Sequence, residues 1–192
     1  MTRLPQALLL LAMLTGCATS PGLDEDAALA PDFRFKMPSP AALGRDIDAV
    51  QHVTAHYREQ SVSFDTRLSI TPQQLMLVGL DSLGRRGLTV IWDGKSVESE
   101  TAPWLPTAIR PQNMLADIGL LYWPEAAIRA GLVGAGAALQ TDRQGRSITE
   151  NGREIVHIEY DPPGGPAWTG TAHLRNLAFG YSLDIQSAAV DP

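Results

Sequence analysis

The 192-residue sequence reads as a mainly β protein: an incomplete, strongly curved antiparallel β-barrel with a helical pair covering its concave side. Three observations point there. From about residue 52 onward apolar and polar residues alternate, the period of a strand half-buried in a sheet. Asp93-Gly94 stands between two such runs and marks a hairpin. Residues 111–132 alone change to a helical period, so strands precede and follow a pair of helices.

The chain opens on something that is not part of that fold. Every residue from Leu8 to Leu14 is apolar, and Arg3 is the one charge before them. The run is too short for a membrane span, which needs about 20 apolar residues, but it suits the core of a secretory signal. Leu14-Thr15-Gly16-Cys17 resembles the bacterial lipobox. That resemblance implies a signal peptide over residues 1–16, cut before Cys17, and acylation of Cys17 by diacylglycerol on sulfur and by a further chain, such as palmitate, on the amine. Two or three chains give a durable anchor where one would bind reversibly. An ordinary signal peptide with a cysteine close to its cut is the alternative. Ala18, where an Asp would resemble an inner-membrane retention signal, implies the outer membrane in a host that has one, with the domain facing the periplasm.

Without residues 1–16 the chain is one domain's worth and more acidic than its formal charge of −6, since only Arg3 is removed. Such a balance provides no footprint for nucleic acid or for an anionic lipid surface. Cys17 is the one cysteine. With it acylated there is no thiol for a disulfide, a zinc cluster or a nucleophile, and stability rests on the hydrophobic core. Residues 17–43 read as anchor and tether, because 18–31 show no strand or helix period and carry Asp24-Glu25-Asp26. The folded domain is expected over 44–190.

Within it, "HVTAHYR" alternates weakly, with Val53, Ala55 and Tyr57 inward. In "SVSFDTRLSI", Val62, Phe64, Thr66, Leu68 and Ile70 share one face, while Ser61, Ser63, Asp65, Arg67 and Ser69 share the other. "QLMLVGL" is apolar on both faces, so it packs under the helices or lines a pocket. "GLTVIWDGKSVES" forms the Asp-Gly hairpin. In "PQNMLADIGLLYWPEAAIRAGL", Met114, Ile118, Leu121 and Tyr122 make one helical stripe. Pro124 stops that helix and opens a second, with Glu125 in its first turn and Ala127, Ile128 and Leu132 on its buried side. "EIVHIEY", "GTAHLRN" and "YSLDIQS" close the chain. Tyr181, Leu183 and Ile185 point in, and "NLAFG" turns the last pair.

"SLGRRGLTVIWDGK", the Tyr-Trp-Pro helical break and "IEYDPP" resemble the outer-membrane lipoprotein receptor LolB. They are more similar still to a short family of LolB-like bacterial lipoproteins that resemble accessory components of aryl-polyene pigment clusters. The resemblance covers roughly residues 50–187. It implies a LolB/LolA-like half-barrel whose apolar cavity holds acyl chains, and an exposed leucine at a membrane-facing loop. Leu83 matches that leucine, although Ser82 stands where the receptor has Pro. With the two-sided apolar strand, it makes Phe64, Leu68, Leu75, Leu77, Val90, Trp92, Ile118 and Tyr122 the candidates for the cavity lining.

Catalytic and metal motifs are weak. "GLDSLG" only superficially resembles a Gly-Asp-Ser-Leu hydrolase block, and no base is apparent for Ser82. His52 and His56 would suit a metal on a helix, but on a strand they stand roughly 13 Å apart. His157 and His173 read as outward strand residues, Arg129 as a solvent-facing helix residue, and Arg85-Arg86 as a hairpin tip. Trp92, Trp104, Trp123 and Trp168 read as core and cavity lining. No cofactor is expected. The reading is a non-catalytic, lipid-anchored protein that binds or transfers lipid or acylated cargo, such as an aryl polyene lipid, in concert with a periplasmic carrier or transporter. An envelope-assembly lipoprotein that binds protein partners at its open sheet edge, with no ligand, is the other reading.

Overall fold

The computed structural model describes residues 26–105, 110–132, 136–164 and 168–190; the signal peptide expected over residues 1–16 and Cys17 lie outside them. In chain order the elements are β1 (Asp26–Ala30), β2 (Phe33–Lys36), a 3-10 turn (Pro40–Leu43), β3 (Ile47–Tyr57), β4 (Gln60–Ile70), β5 (Leu75–Leu80), β6 (Arg86–Trp92) and β7 (Val97–Thr101). After α1 (Pro111–Tyr122) and α2 (Glu125–Gly131) come β8 (Ala137–Thr141), β9 (Gly145–Glu150), β10 (Arg153–Asp161), β11 (Gly170–Asn176) and β12 (Tyr181–Ala189).

Ten strands form one curved antiparallel sheet in the order β7-β6-β5-β4-β3-β12-β11-β10-β9-β8, an open sheet and not a closed barrel. It is two five-strand meanders. The first runs outward from β3 to the β7 edge, and the second returns inward from the β8 edge to β12. The seam between them is the β3–β12 pair, in register from Tyr57–Tyr181 to Ala49–Ala189. The helices carry the chain from one edge to the other, which forces them across a face of the sheet.

α1 begins at Pro111, where the missing N–H costs nothing, and ends before Pro124. Its residues Leu115 to Tyr122 are all buried, not just one stripe. A helix buried all round needs cover on two sides. The sheet supplies one side and the β1–β2 hairpin the other, which corrects the expectation of a tether for residues 26–43, while residues 17–25 lie outside the described residues. Phe33, Phe35 and Met37 alternate with exposed Arg34 and Lys36, and Ala27, Leu29 and Ala30 are buried beside them. The domain therefore starts by Asp26. The strand period of 33–37 was too short to stand out beside the acidic cluster.

Side-chain donors fix this cover. Asn176 Nδ2 donates to the Leu29 carbonyl (3.1 Å), Trp92 Nε1 to Pro38 (3.3 Å) and Trp123 Nε1 to Ser39 (3.0 Å). At Gly131 any Cβ would collide with the Lys36 carbonyl and the Phe35 ring, so the close approach of α2 to β2 needs glycine there. β8 and β9 show no strand period in the sequence, because Gly145 and Arg146 interrupt their alternation.

Candidate functional site

The curvature leaves space between the sheet and α1. A cavity of about 480 Å³ lies there, bordered by Val53, Ala55, Phe64, Leu77, Leu183 and Ile185 from the sheet. From α1 it takes Met114, Ile118, Leu121 and Tyr122, the stripe read from the sequence. The volume lies in the range of ligand pockets. The register locates its mouth. Tyr57 pairs with Gln60 and with Tyr181, so the β3–β4 and β11–β12 turns lie at one end of the sheet, as does the β5–β6 turn. The cavity's rim residues, Tyr57, Phe179 and Arg110, stand at that end, and Tyr57 is 40% exposed.

Of the residues expected to line it, Phe64, Leu77, Ile118 and Tyr122 border the cavity. Leu68, Leu75, Val90 and Trp92 do not. They share the inner face but are fully buried core. Leu75 faces Trp92 across β5–β6 at the far end of the strands, where the Pro38–Ser39 segment plugs the half-barrel against the Trp92 and Trp123 indoles. A sequence period assigns a face; it does not say where along that face the helices and hairpin fill the space.

Two hydrogen-bonded polar clusters interrupt the apolar wall, and Asn113, Arg110 and His56 also border the cavity. Gln51 Nε2 donates to the Tyr122 hydroxyl (2.8 Å) and to Ser187 Oγ (2.9 Å), and the Thr66 hydroxyl donates to Gln51 Oε1 (3.4 Å). The Tyr122 ring stacks on Trp168 at 4.1 Å between centroids, and burial raises its hydroxyl pKa above the ordinary value. Separately, the Tyr181 hydroxyl donates to Asp117, at 2.8 Å from Oδ1 and 3.1 Å from Oδ2. Burial pushes the Asp117 carboxyl up to about 7, against the opposing hydrogen bond from Tyr181. Asp117 is not among the residues expected at the site, although the sequence carries a signal for it, an acid three residues after Met114 and four before Leu121, on the apolar stripe.

Leu83 is 77% exposed, in the turn between β5 and β6. Asp81 builds this turn: its Oδ1 accepts the Leu83 and Arg85 amides (2.9 and 2.8 Å) and its Oδ2 accepts Arg85 Nε (2.7 Å). Gly84 takes a φ of +74°, which suits glycine. The Arg85 guanidinium lies 5.1 Å over the Trp104 ring. Trp104, expected in the core, is 45% exposed at this end; the other three tryptophans are buried.

The four histidines face acids on the outer face of the sheet: His52 and Asp65 (2.7 Å), His56 and Asp184 (3.0 Å), His173 and Asp184 (2.7 Å), His157 and Glu154 (2.8 Å). Alternation along the strands puts them there, although His56 also reaches the cavity rim. Among the described residues no group of three or more His, Cys, Asp or Glu could hold a metal. Arg129 pairs with Glu125 on α2.

Residues 48–189 match the model of a family described as a protein of unknown function, DUF3261. This chain belongs to the DUF3261 family. No curated protein matches this DUF3261 member. Among solved structures it is similar to a LolA superfamily protein from Nitrosomonas europaea, with a TM-score of 0.40 and 8% identity over 77% of this chain and 88% of that one.

Proposed function

We propose that this DUF3261 protein is a non-catalytic carrier, anchored to the outer membrane through acylated Cys17, that takes an apolar or acylated chain into the cavity under α1. The cavity carries the reading. It is lined mainly by aliphatic and aromatic side chains, it holds two hydrogen-bonded polar clusters, and its mouth is at one end of the sheet. That is the pattern of a site for one amphiphilic ligand. The turn bearing Leu83 and Arg85, with the half-exposed Trp104 packed under Arg85, stands at the same end, so a membrane met by this turn would face the mouth. Such a membrane is both source and destination for a chain of that kind, and an aryl polyene lipid handled with a periplasmic carrier fits this scheme.

Native mass spectrometry of the full mature chain carrying Cys17→Ser, followed by lipid extraction, tests the reading. The expected result is a co-purifying amphiphile that is lost in Leu183→Trp, where the indole fills the cavity. A ligand-free protein that also fails to take up an apolar dye would overturn it, and would favour a protein-binding role for the open β7 and β8 edges.

A further inference from the structure

We propose that Asp117, held by Tyr181, is the anchor for the polar head of the ligand, and that the head it selects is a hydrogen-bond donor, an ammonium or a hydroxyl, and not a carboxylate. The proposal rests on the cavity being a ligand site. Asp117 is 6% exposed and borders the cavity beside Ile118 and Leu121. A carboxylate offers about four acceptor positions, yet the partner described for this one is a single hydroxyl proton shared between its two oxygens. The cavity's other polar cluster, Gln51, Tyr122, Ser187 and Thr66, is satisfied internally and does not reach it. No cation contributes to the state of Asp117; only burial and Tyr181 do.

Unpaired acceptor capacity aimed into an apolar space is costly unless something donates to it. The empty positions suit a donor that arrives with an apolar chain. The titratable and charged groups lining the same cavity are Tyr181 from β12, His56 and Tyr57 from β3, Tyr122 from α1 and Arg110 just before it. Tyr181 pairs with Tyr57 at the mouth, so Asp117 lies toward the entrance and the Gln51–Tyr122 cluster lies deeper along β3 and β12, an order that places a polar head near the opening and its chain inside. Near neutral pH the Asp117 carboxyl is poised between its two forms. The ionised form holds an ammonium and repels a carboxylate.

The test uses the full mature chain with Cys17→Ser, loaded with an environment-sensitive apolar dye, and dodecylamine, dodecanol and dodecanoate as competitors at pH 8. Dodecylamine is expected to displace the dye at a concentration about tenfold or more below that of dodecanoate, with dodecanol between, as one charge-assisted contact implies. Asp117→Asn, which keeps the shape and a hydrogen bond for Tyr181, should bring the amine down to the level of the alcohol. In the unsubstituted cavity, amine affinity should rise from pH 6 to pH 8 while alcohol affinity stays flat, a result independent of whether the variant folds. Equal displacement by all three competitors would overturn the anchor and leave the cavity reading standing. An amine preference that survives Asp117→Asn would also overturn it. Failure of the dye to bind at all would remove both.

Discussion

The guanidinium of Arg146 on β9 donates to the Leu120 carbonyl at the end of α1, 2.7 Å away, and more weakly to that of Leu121 at 3.4 Å. The Tyr160 hydroxyl donates to the same Leu121 carbonyl at 2.7 Å. Pro124 prevents the helix from continuing, so these last carbonyls would otherwise be buried without partners. A cation there also suits the negative end of the helix dipole. The far meander thus fixes the helix that covers the cavity. Burial lowers the Arg146 pKa, and its Nε is buried without a partner, so the contact is bought at some desolvation cost.

Arg146→Met should keep the packing volume and strand the Leu120 carbonyl. A destabilisation of about 2 kcal/mol is expected, read as a lower urea midpoint with an unchanged slope. A midpoint equal to that of the parent protein would mean that α1 is not held by this contact.

Asp117 makes stability depend on pH in an unusual direction. Unfolded, its carboxyl ionises near the ordinary 3.8; folded, it keeps its proton to about 7. Between those values the unfolded chain binds fewer protons, so stability falls as pH rises, by about 4 kcal/mol in all, and is level above pH 7. Asp117→Asn should remove that fall. The variant should match the parent below pH 4 and exceed it at pH 8 in parallel urea titrations. Parallel curves across the whole range would show that Asp117 is not held protonated.

Leu83→Glu should leave folding within about 0.5 kcal/mol, because the side chain is 77% exposed. Cargo binding should also persist, since Leu83 does not border the cavity. If the turn enters a bilayer, the leucine contributes at most about 2 kcal/mol of apolar transfer, and the variant should slow transfer of a bound dye to acceptor liposomes. An unchanged transfer rate would remove the turn from the membrane step; a joint loss of binding and transfer would assign the leucine to the core.

Cys17→Ser should abolish membrane attachment, because no second cysteine exists in the chain to carry an acyl group. Metabolic labelling with palmitate reads this directly, and label retained by the variant would overturn the anchor.

What the sequence determined by itself is the class of each long element and the face it presents. In β4 and β12 strict alternation named Phe64, Thr66, Leu68, Leu183 and Ile185 as inward, and each lies on the inner face. In α1 the spacing of Met114, Ile118, Leu121 and Tyr122 named the side that meets the cavity. These features are local consequences of a backbone period, and any window of ten residues contains them. Asp81 and Gly84 likewise wrote the Leu83 turn into five residues.

Only the tertiary structure decided what fills the concavity. Leu68, Leu75, Val90 and Trp92 carry the same pattern as Leu77, yet they are sealed because the Pro38–Ser39 segment plugs one end of the half-barrel. The partners that make this plug, Trp92 with Pro38 and Trp123 with Ser39, lie 54 and 84 residues apart in the chain. The same is true of the site's chemistry. Asp117 is an unremarkable helical acid until β12 brings Tyr181 to it across 64 residues and the apolar walls exclude water. Burial, which sets both a cavity's limits and a carboxyl's pKa, is a property of contacts between distant segments, and no local period encodes it.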